Sequence, residues 1–316
     1  MALIEPVQRD DQLLGDIAAG RTSGDRVLRL WWLGQAGFLV QFDGHHLLLD
    51  PYLSDSLTAK YAATDKPHVR LTERAIDPAR LDMVEVVTSS HNHTDHLDHE
   101  TLWPLLAANP ALTLVIPEAN RAFVAERLGT DPAWPVGLVH GASTTAGPFT
   151  ITGLAVAHEE LETDDAGRHR HLGYIVAAGP HTLFHSGDAI PYDGMDTELL
   201  RLAGGHRIDV ALLPINGRRP ERRVPGNFWG DEAAHFAAAV RAGVVVPMHY
   251  EMFAFNTQTP ELFETTARQL GQPHRVLRCG ERLDVPTDPT ASAPVRSECP
   301  PIPSSDSETR RRFGAH

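Results

Sequence analysis

Ser90-His91-Asn92-His93-Thr94-Asp95-His96-Leu97-Asp98-His99 is the stretch on which the reading of this chain turns. It follows an apolar β-type run at 83–88, so it stands on a loop at a strand's C-terminal end. His91, His93, Asp95 and His96 place three imidazoles and a carboxylate within six residues. Such a cluster is cheap only where something neutralises and uses it. A divalent cation does this, since imidazole suits zinc and other transition metals and carboxylate adds a hard oxygen. The i, i+2 spacing of His91 and His93 lets both rings reach one ion from an extended loop. Asp95 and His96 then face a second. The bland alternative is a solvated polar loop, and a chance match to these four fixed positions is rare even in a chain with 18 histidines.

Three later residues fit the same picture. His158 follows the apolar run 149–157, Asp188 follows 182–185 within His185-Ser186-Gly187-Asp188, and His249 follows 244–247. A single histidine after a strand is more often surface or packing than ligand. Their shared placement is what counts, because one edge of a sheet sandwich can collect them all.

Composition narrows the class around this motif. The chain has 316 residues, 42% hydrophobic and 22% charged, an ordinary globular balance that supports a sizeable core. The formal charge of −13 disfavours a nucleic-acid polyanion as partner. No run is long enough to span a bilayer, so no membrane partner is expected. Two cysteines, Cys279 and Cys299, cannot build a disulfide framework or a cysteine-rich zinc site. Together with an N-terminus unlike a secretory signal, they point to the cytoplasm.

The periodicity reads as two similar halves. Residues 1–26 form a polar arm with one short amphipathic stretch at 13–19. Strands are expected at 27–32 and 38–42 around the hairpin signal Gly34-Gln35-Ala36-Gly37, and at 46–49. Strand and helix then alternate: 83–88, a helix at 100–108, a strand at 112–116, a helix at 119–128. A second set follows, with strands at 149–157, 172–177, 182–185 and 210–214. A helix is expected over 231–242 with Asp231 as its N-cap, then a strand at 244–247 and a helix at 262–270. Short strands at 275–277 and 283–285 close the fold. Hairpins followed by βα units, twice over, predict a sandwich of two mixed β-sheets with helices outside, as one domain over 27–286. Residues 287–316 are Pro-, Ser- and Thr-rich and are expected as a flexible tail.

The order Asp50, His91-x-His93-x-Asp95-His96, His158, Asp188, His249 resembles the five motifs of the metallo-β-lactamase-fold hydrolases. The resemblance covers about 27–286 and implies an αββα sandwich, an α/β fold with a dinuclear site along one edge. It implies that His91, His93 and His158 hold one metal, that Asp95, His96 and His249 hold the other, and that Asp188 bridges them. Asp50 then braces the histidine loop. Trp31-Trp32-Leu33-Gly34, His185-Ser186-Gly187-Asp188, 208–212, Gly226-Asn227 and 247–253 are similar to the L-ascorbate-6-phosphate lactonase subgroup. The segment 159–171 is shorter, and the loop 216–223 more basic, than in that lactonase.

The chemistry so implied is hydrolysis by a metal-bridged hydroxide, with Asp95 and Asp188 as the catalytic carboxylates, of a lactone or ester-like bond. Two divalent ions are expected: zinc first, with manganese or iron also compatible with His/Asp ligation. Arg218, Arg222 and Arg223 form a basic patch in an acidic chain and suit a phosphorylated or acidic small-molecule substrate. An oligomer contact is the competing use of that patch. Tyr192 and Tyr250 could donate to a developing oxyanion or simply pack, and His185 is expected to support the ligands. Trp31 and Trp32 fit a hairpin core. Oligomerisation is open; the ascorbate-type relatives form larger homo-oligomers. Two other functions compete. One is a phosphodiesterase, either nuclease-like or resembling N-acylphosphatidylethanolamine-hydrolysing phospholipase D, whose hairpin also carries Trp-Leu-Gly. The other is a non-catalytic metal-binding protein, against which the complete ligand set argues.

Overall fold

Trp31 and Trp32 are neighbours in one strand, point to opposite faces, and are both buried. A sheet covered on both sides explains why the strands read as unbroken apolar runs instead of alternating ones. The structure is a computed structural model describing residues 2–21 and 26–287. Apart from Thr287, the expected tail lies outside the described residues.

The first half begins with α1 (Asp10–Arg21) and the antiparallel meander β1 (Leu28–Gly34), β2 (Gly37–Phe42) and β3 (His45–Leu49). After α2 (Ser56–Tyr61) the chain continues through β4 (Val86–Thr88), α3 (His99–Ala108), β5 (Thr113–Pro117), α4 (Arg121–Leu128) and β6 (Val136–Leu138), with β3 to β6 in parallel. The second half repeats the plan. β7 (Ser143–Ala146), β8 (Phe149–Ala155), β9 (Leu172–Ala178) and β10 (His181–His185) are antiparallel. Then come α5 (Met195–Leu202), β11 (Val210–Pro214), α6 (Gly230–Ala239) and β12 (Val244–Met248), with β11 parallel to β10 and β12 parallel to β11. After α7 (Glu261–Leu270), β13 (Arg282–Val285) crosses back and pairs with β1, Leu28 opposite Val285.

Among the described residues the sheet orders are β13-β1-β2-β3-β4-β5-β6 and β12-β11-β10-β9-β8-β7, both mixed. Leu30, Trp32, Phe38 and Val40 face Phe149, Tyr174, Val176 and Leu183 in the core between the sheets. Trp31, Leu39 and Leu48 belong to an outer core with Leu13 and Ile17 of α1, Leu102 and Leu105 of α3, and Val124 of α4. Phe228, Phe236 and Phe263 bring α6 and α7 onto the second sheet. The αββα sandwich expected from the sequence is the fold. No helix of the described residues is long and apolar enough to cross a membrane.

Several elements differ from expectation for local reasons. β6 has three residues, and β7, Ser-Thr-Thr-Ala, alternates half-buried and exposed positions with almost no apolar signal. α5 carries little signal in the sequence because its buried face is only Met195 and Leu199. The helix expected at 231 starts one residue earlier, at Gly230, with Trp229 at the cap position. The Glu232 carboxylate reaches back to accept the Trp229 N–H at 2.9 Å, which leaves Asp231 inside the first turn. Residues 275–277 are not a strand; a single bridge links Val245 and His274.

Candidate metal centre

Every expected ligand stands just past a strand end on one edge of the sandwich. His91, His93, Asp95 and His96 occupy the loop between β4 and α3; His158 follows β8, Asp188 follows β10, and His249 follows β12 directly. Two devices close these loops together. A bridge joins Ala157 to Ile190, tying the His158 loop to the Asp188 loop. The His249 N–H, in a left-handed residue at φ 63°, donates to the Gln35 carbonyl in the β1–β2 turn at 2.9 Å.

The side chains form two adjacent groups. His91, His93, His158 and Asp188 have donor atoms within 4.8 Å of one another, as do Asp95, His96 and His249. Asp188 lies between them. Its Oδ1 is 3.3 Å from His96 Nε2, and its Oδ2 is 3.2 Å from His249 Nε2 and 3.7 Å from His158 Nε2. Asp95 Oδ2 is 3.6 Å from His249 Nε2 and 3.8 Å from His96 Nε2. His93 alone of the seven is exposed.

A hydrogen-bonded polar cluster would pair its buried atoms. Here His91 Nε2, His96 Nε2 and Asp188 Oδ1 are buried with no hydrogen-bond partner, all within this cluster. The opposite ring nitrogens are held. His91 Nδ1 is 3.0 Å from Ser90 Oγ, His96 Nδ1 is 2.8 Å from Asp50 Oδ2, and His158 Nδ1 is 2.9 Å from the Gly226 carbonyl. Rings anchored on one nitrogen with the other left over are what a metal ligand needs. Burial lowers the His91 pKa well below its ordinary value, helped by the neighbouring His96, His93 and His158, and lowers His158 to about 4. These rings are neutral and keep their lone pairs. At His96 and His249 burial acts in the same direction but the Asp188 and Asp95 carboxylates outweigh it, raising His249 to about 9. The donor set therefore fits divalent cations.

Residues 29–249 match the family model of the beta-lactamase superfamily domain. The chain belongs to that superfamily. It is similar to a metal-dependent hydrolase of Opitutus terrae, 29% identical over 262 residues that span 82% of this chain and all of the relative. Among solved structures it resembles a metallo hydrolase of Ignicoccus hospitalis, at TM-score 0.59 and 21% identity over 82% of this chain and 98% of the other. It also resembles an isothiocyanate hydrolase from Delia radicum gut bacteria, at TM-score 0.63 and 17% identity, covering 81% and 98%.

In this beta-lactamase superfamily chain the centre lies on the floor of a cavity of ≈ 350 Å³. His93, Asp95, His158, Asp188 and His249 reach its surface. One wall is apolar, made of Leu57 and Tyr61 from α2 with Phe253 and Phe255 from the loop after β12. The rim is basic: Lys60, Lys66, Arg127 and Arg223 line it, and Lys60 and Lys66 are the only lysines of the chain.

The other expected site residues separate. Asp50 and His185 lie directly behind the ligands; His185 is fully buried, its Nε2 2.8 Å from the Ala36 carbonyl and its Nδ1 accepting the Gly187 N–H at 3.2 Å. Arg223 lines the cavity, with Nη2 2.6 Å from Asp65. Arg218 and Arg222 do not. Arg218 makes a two-pronged pair with Glu232 at 2.6 Å, and Arg222 donates to the Asn216 and Thr257 carbonyls and so pins its loop. Tyr192 donates to the Ala155 carbonyl at 2.7 Å. Tyr250 donates to the Leu277 carbonyl and packs against Trp32 at a 30° tilt, ring centroids 4.5 Å apart. Both tyrosines pack, and neither reaches the cavity.

Two residues at the centre were not singled out in the sequence. His171, at the start of β9, has its ring 5.1 Å from that of His91 and 5.7 Å from that of His158. Gln35, in the β1–β2 turn, places its Nε2 2.7 Å from Asp95 Oδ2. Gln35 stood in view within the hairpin signal, but a turn glutamine carries no metal motif. His171 is a lone histidine with no spacing to mark it.

Proposed function

We propose that this chain, a metal-dependent hydrolase of the metallo-β-lactamase superfamily, holds two divalent ions and opens a lactone or ester-like bond in a small anionic substrate. One observation carries the reading: two adjacent donor groups with unpartnered ligand atoms share Asp188 beneath a basic-rimmed cavity. His91, His93 and His158 would hold one ion, Asp95, His96 and His249 the other, with Asp188 reaching both. Zinc is the first expectation, and manganese and iron suit the same donors.

Ions held there supply a Lewis acid and a water of lowered pKa. The chain's own residues do the rest. Asp188, lying between the two donor groups, would orient the attacking water from beside both ions, and Asp95 would hold the second ion with His96 and His249. Among the described residues no thiol offers a competing nucleophile. Cys279 is buried in the outer core, and burial pushes its pKa up to about 12. A cavity of this size takes a small molecule. Its apolar wall suits a compact carbon skeleton, and Lys60, Lys66 and Arg223 suit a phosphate or carboxylate on that skeleton.

The test is turnover by purified protein reconstituted separately with zinc and manganese, offered a phosphorylated sugar lactone and a generic phosphodiester. Dominant lactone opening supports the proposal. Dominant phosphodiester cleavage replaces it with the phosphodiesterase reading, in which the same rim contacts the leaving group. Stoichiometric metal with neither activity would keep the metal centre and reject both substrate classes.

A further inference from the structure

Gln35 is 1% exposed and sits in the β1–β2 turn at φ 51°, a left-handed conformation that a glutamine seldom adopts. Its main chain is pinned. The carbonyl accepts Trp32 Nε1–H at 3.0 Å and the His249 N–H at 2.9 Å. Its side chain enters the centre, where Nε2 is 2.7 Å from Asp95 Oδ2 and 2.9 Å from His249 Nε2. Its Oε1 is buried and has no hydrogen-bond partner. An amide oxygen stranded in this way loses its hydration without a replacement partner, so the arrangement calls for an explanation.

The spacing supplies one. Donor atoms about 2.1 Å from a common ion are about 3.0 Å apart at right angles and about 3.4 Å apart at tetrahedral angles. The Gln35 amide nitrogen stands just inside that spacing from two expected ligand atoms, close to where a further ligand would sit. An N–H group there suits a carboxylate acceptor but would face a bound cation with the wrong end of its dipole. Oxygen and nitrogen of a primary amide are nearly equal in size, so a half-turn about the last bond exchanges them without moving the backbone.

We propose that Gln35 is a further ligand of the cation held by Asp95, His96 and His249, its amide turning over on metal binding so that Oε1 faces the ion. An amide oxygen turned to the ion would put a ligand atom where Nε2 now meets both Asp95 and His249. The inference rests on the two-metal reading above but not on any substrate.

The experiment is zinc titration of the full-length chain against a chromophoric chelator, for the unaltered protein and for Gln35→Leu, Gln35→Glu and Gln35→Asn. Two zinc ions bound by the unaltered protein support the metal centre itself; none bound would overturn that reading and this one together. Gln35→Leu, which has no oxygen, is expected to weaken one of the two sites at least tenfold and leave the other unchanged. Gln35→Glu, with an oxygen but no donor, is expected to recover that site. If Gln35 acts only as a hydrogen-bond donor to Asp95, the glutamate is as damaging as the leucine, and the proposal is overturned. Unchanged affinity in Gln35→Leu also overturns it. Gln35→Asn tolerates the left-handed backbone but is one methylene too short to reach. It should match the leucine, and it decides the question if the leucine variant does not fold.

Discussion

Asp50 Oδ2 lies 2.8 Å from His96 Nδ1, with both side chains wholly out of solvent. Asp50 also accepts the Ser90 N–H at 3.1 Å and the Thr88 hydroxyl at 2.9 Å, so one carboxylate at the end of β3 holds the start of the histidine loop. Burial opposes its charge, but the hydrogen bond from His96 and the nearby His185 keep its pKa below the ordinary value. The pairing fixes the His96 ring with Nε2 toward Asp188. Asp50→Asn keeps the shape and loses the anionic acceptor. It is expected to weaken metal binding about 10- to 100-fold. Asp50→Ala breaks a buried pair outright and should also cost about 3–5 kcal/mol of metal-free stability. Equilibrium dialysis and denaturant unfolding measure the two effects. Unchanged affinity in Asp50→Asn would show that His96 is oriented by something else.

Gly187 has φ 60°, and a Cβ there would lie 2.5 Å from both Cβ and Oγ of Ser90. Ser90 is the residue through which Asp50 grips the loop, so Gly187 is where the Asp188 turn closes on the histidine segment. Gly187→Ala is expected to destabilise the chain by about 1–2 kcal/mol for the left-handed backbone alone. The displaced Ser90 should lower zinc content below that of the unaltered protein. Full zinc occupancy at ordinary stability would mean that this approach is not needed.

The cavity rim separates arginines that look equivalent in sequence. Arg223 and Lys60 line the cavity, whereas Arg222 is bonded to main-chain carbonyls away from it. With an anionic substrate, Lys60→Gln and Arg223→Gln should each raise KM roughly three- to tenfold with kcat nearly unchanged, a modest effect because exposed charges are screened. Arg222→Gln should lower the melting temperature and leave KM within twofold of the unaltered protein's. Steady-state kinetics at two salt concentrations checks this, since only the rim variants should lose their salt dependence. Equal KM effects at 222 and 223 would contradict the assignment.

What was legible in the sequence was local or periodic. The histidine loop is contiguous, and His158, Asp188 and His249 each follow an apolar run, so strand ends alone collect them. The αββα layering followed from hairpins and βα units repeated in order. Long-range partners were not legible: Gln35 meets Asp95 and His249 across separations of 60 and 214 residues. The placement of the individual arginines was not legible for a related reason. Between Arg219 and Arg223 the chain makes a 3₁₀ turn and then a left-handed residue, so neighbours in sequence share no face. A strand or helix would have imposed a common direction; an irregular loop imposes none.

His46, on β3, is 1% exposed and has Nε2 2.9 Å from Gln41 Nε2. Burial, reinforced by the positive charge of Arg21, lowers its pKa from 6.5 to about 4. In the unfolded chain the ring takes up a proton near pH 6.5, so between pH 6.5 and 4 the unfolded state binds more protons than the folded one. Stability from this group is therefore fully present above pH 6.5 and is lost as pH falls towards 4, at up to about 1.4 kcal/mol per pH unit. The metal-centre histidines titrate too, but they are common to both proteins when His46→Leu is compared with the unaltered chain in chelator. The variant's stability profile should be shallower by up to that slope within the window, whatever its absolute stability, and parallel above it. Parallel profiles throughout would mean that His46 is not held neutral in the fold. Urea midpoints at half-unit pH steps resolve the difference.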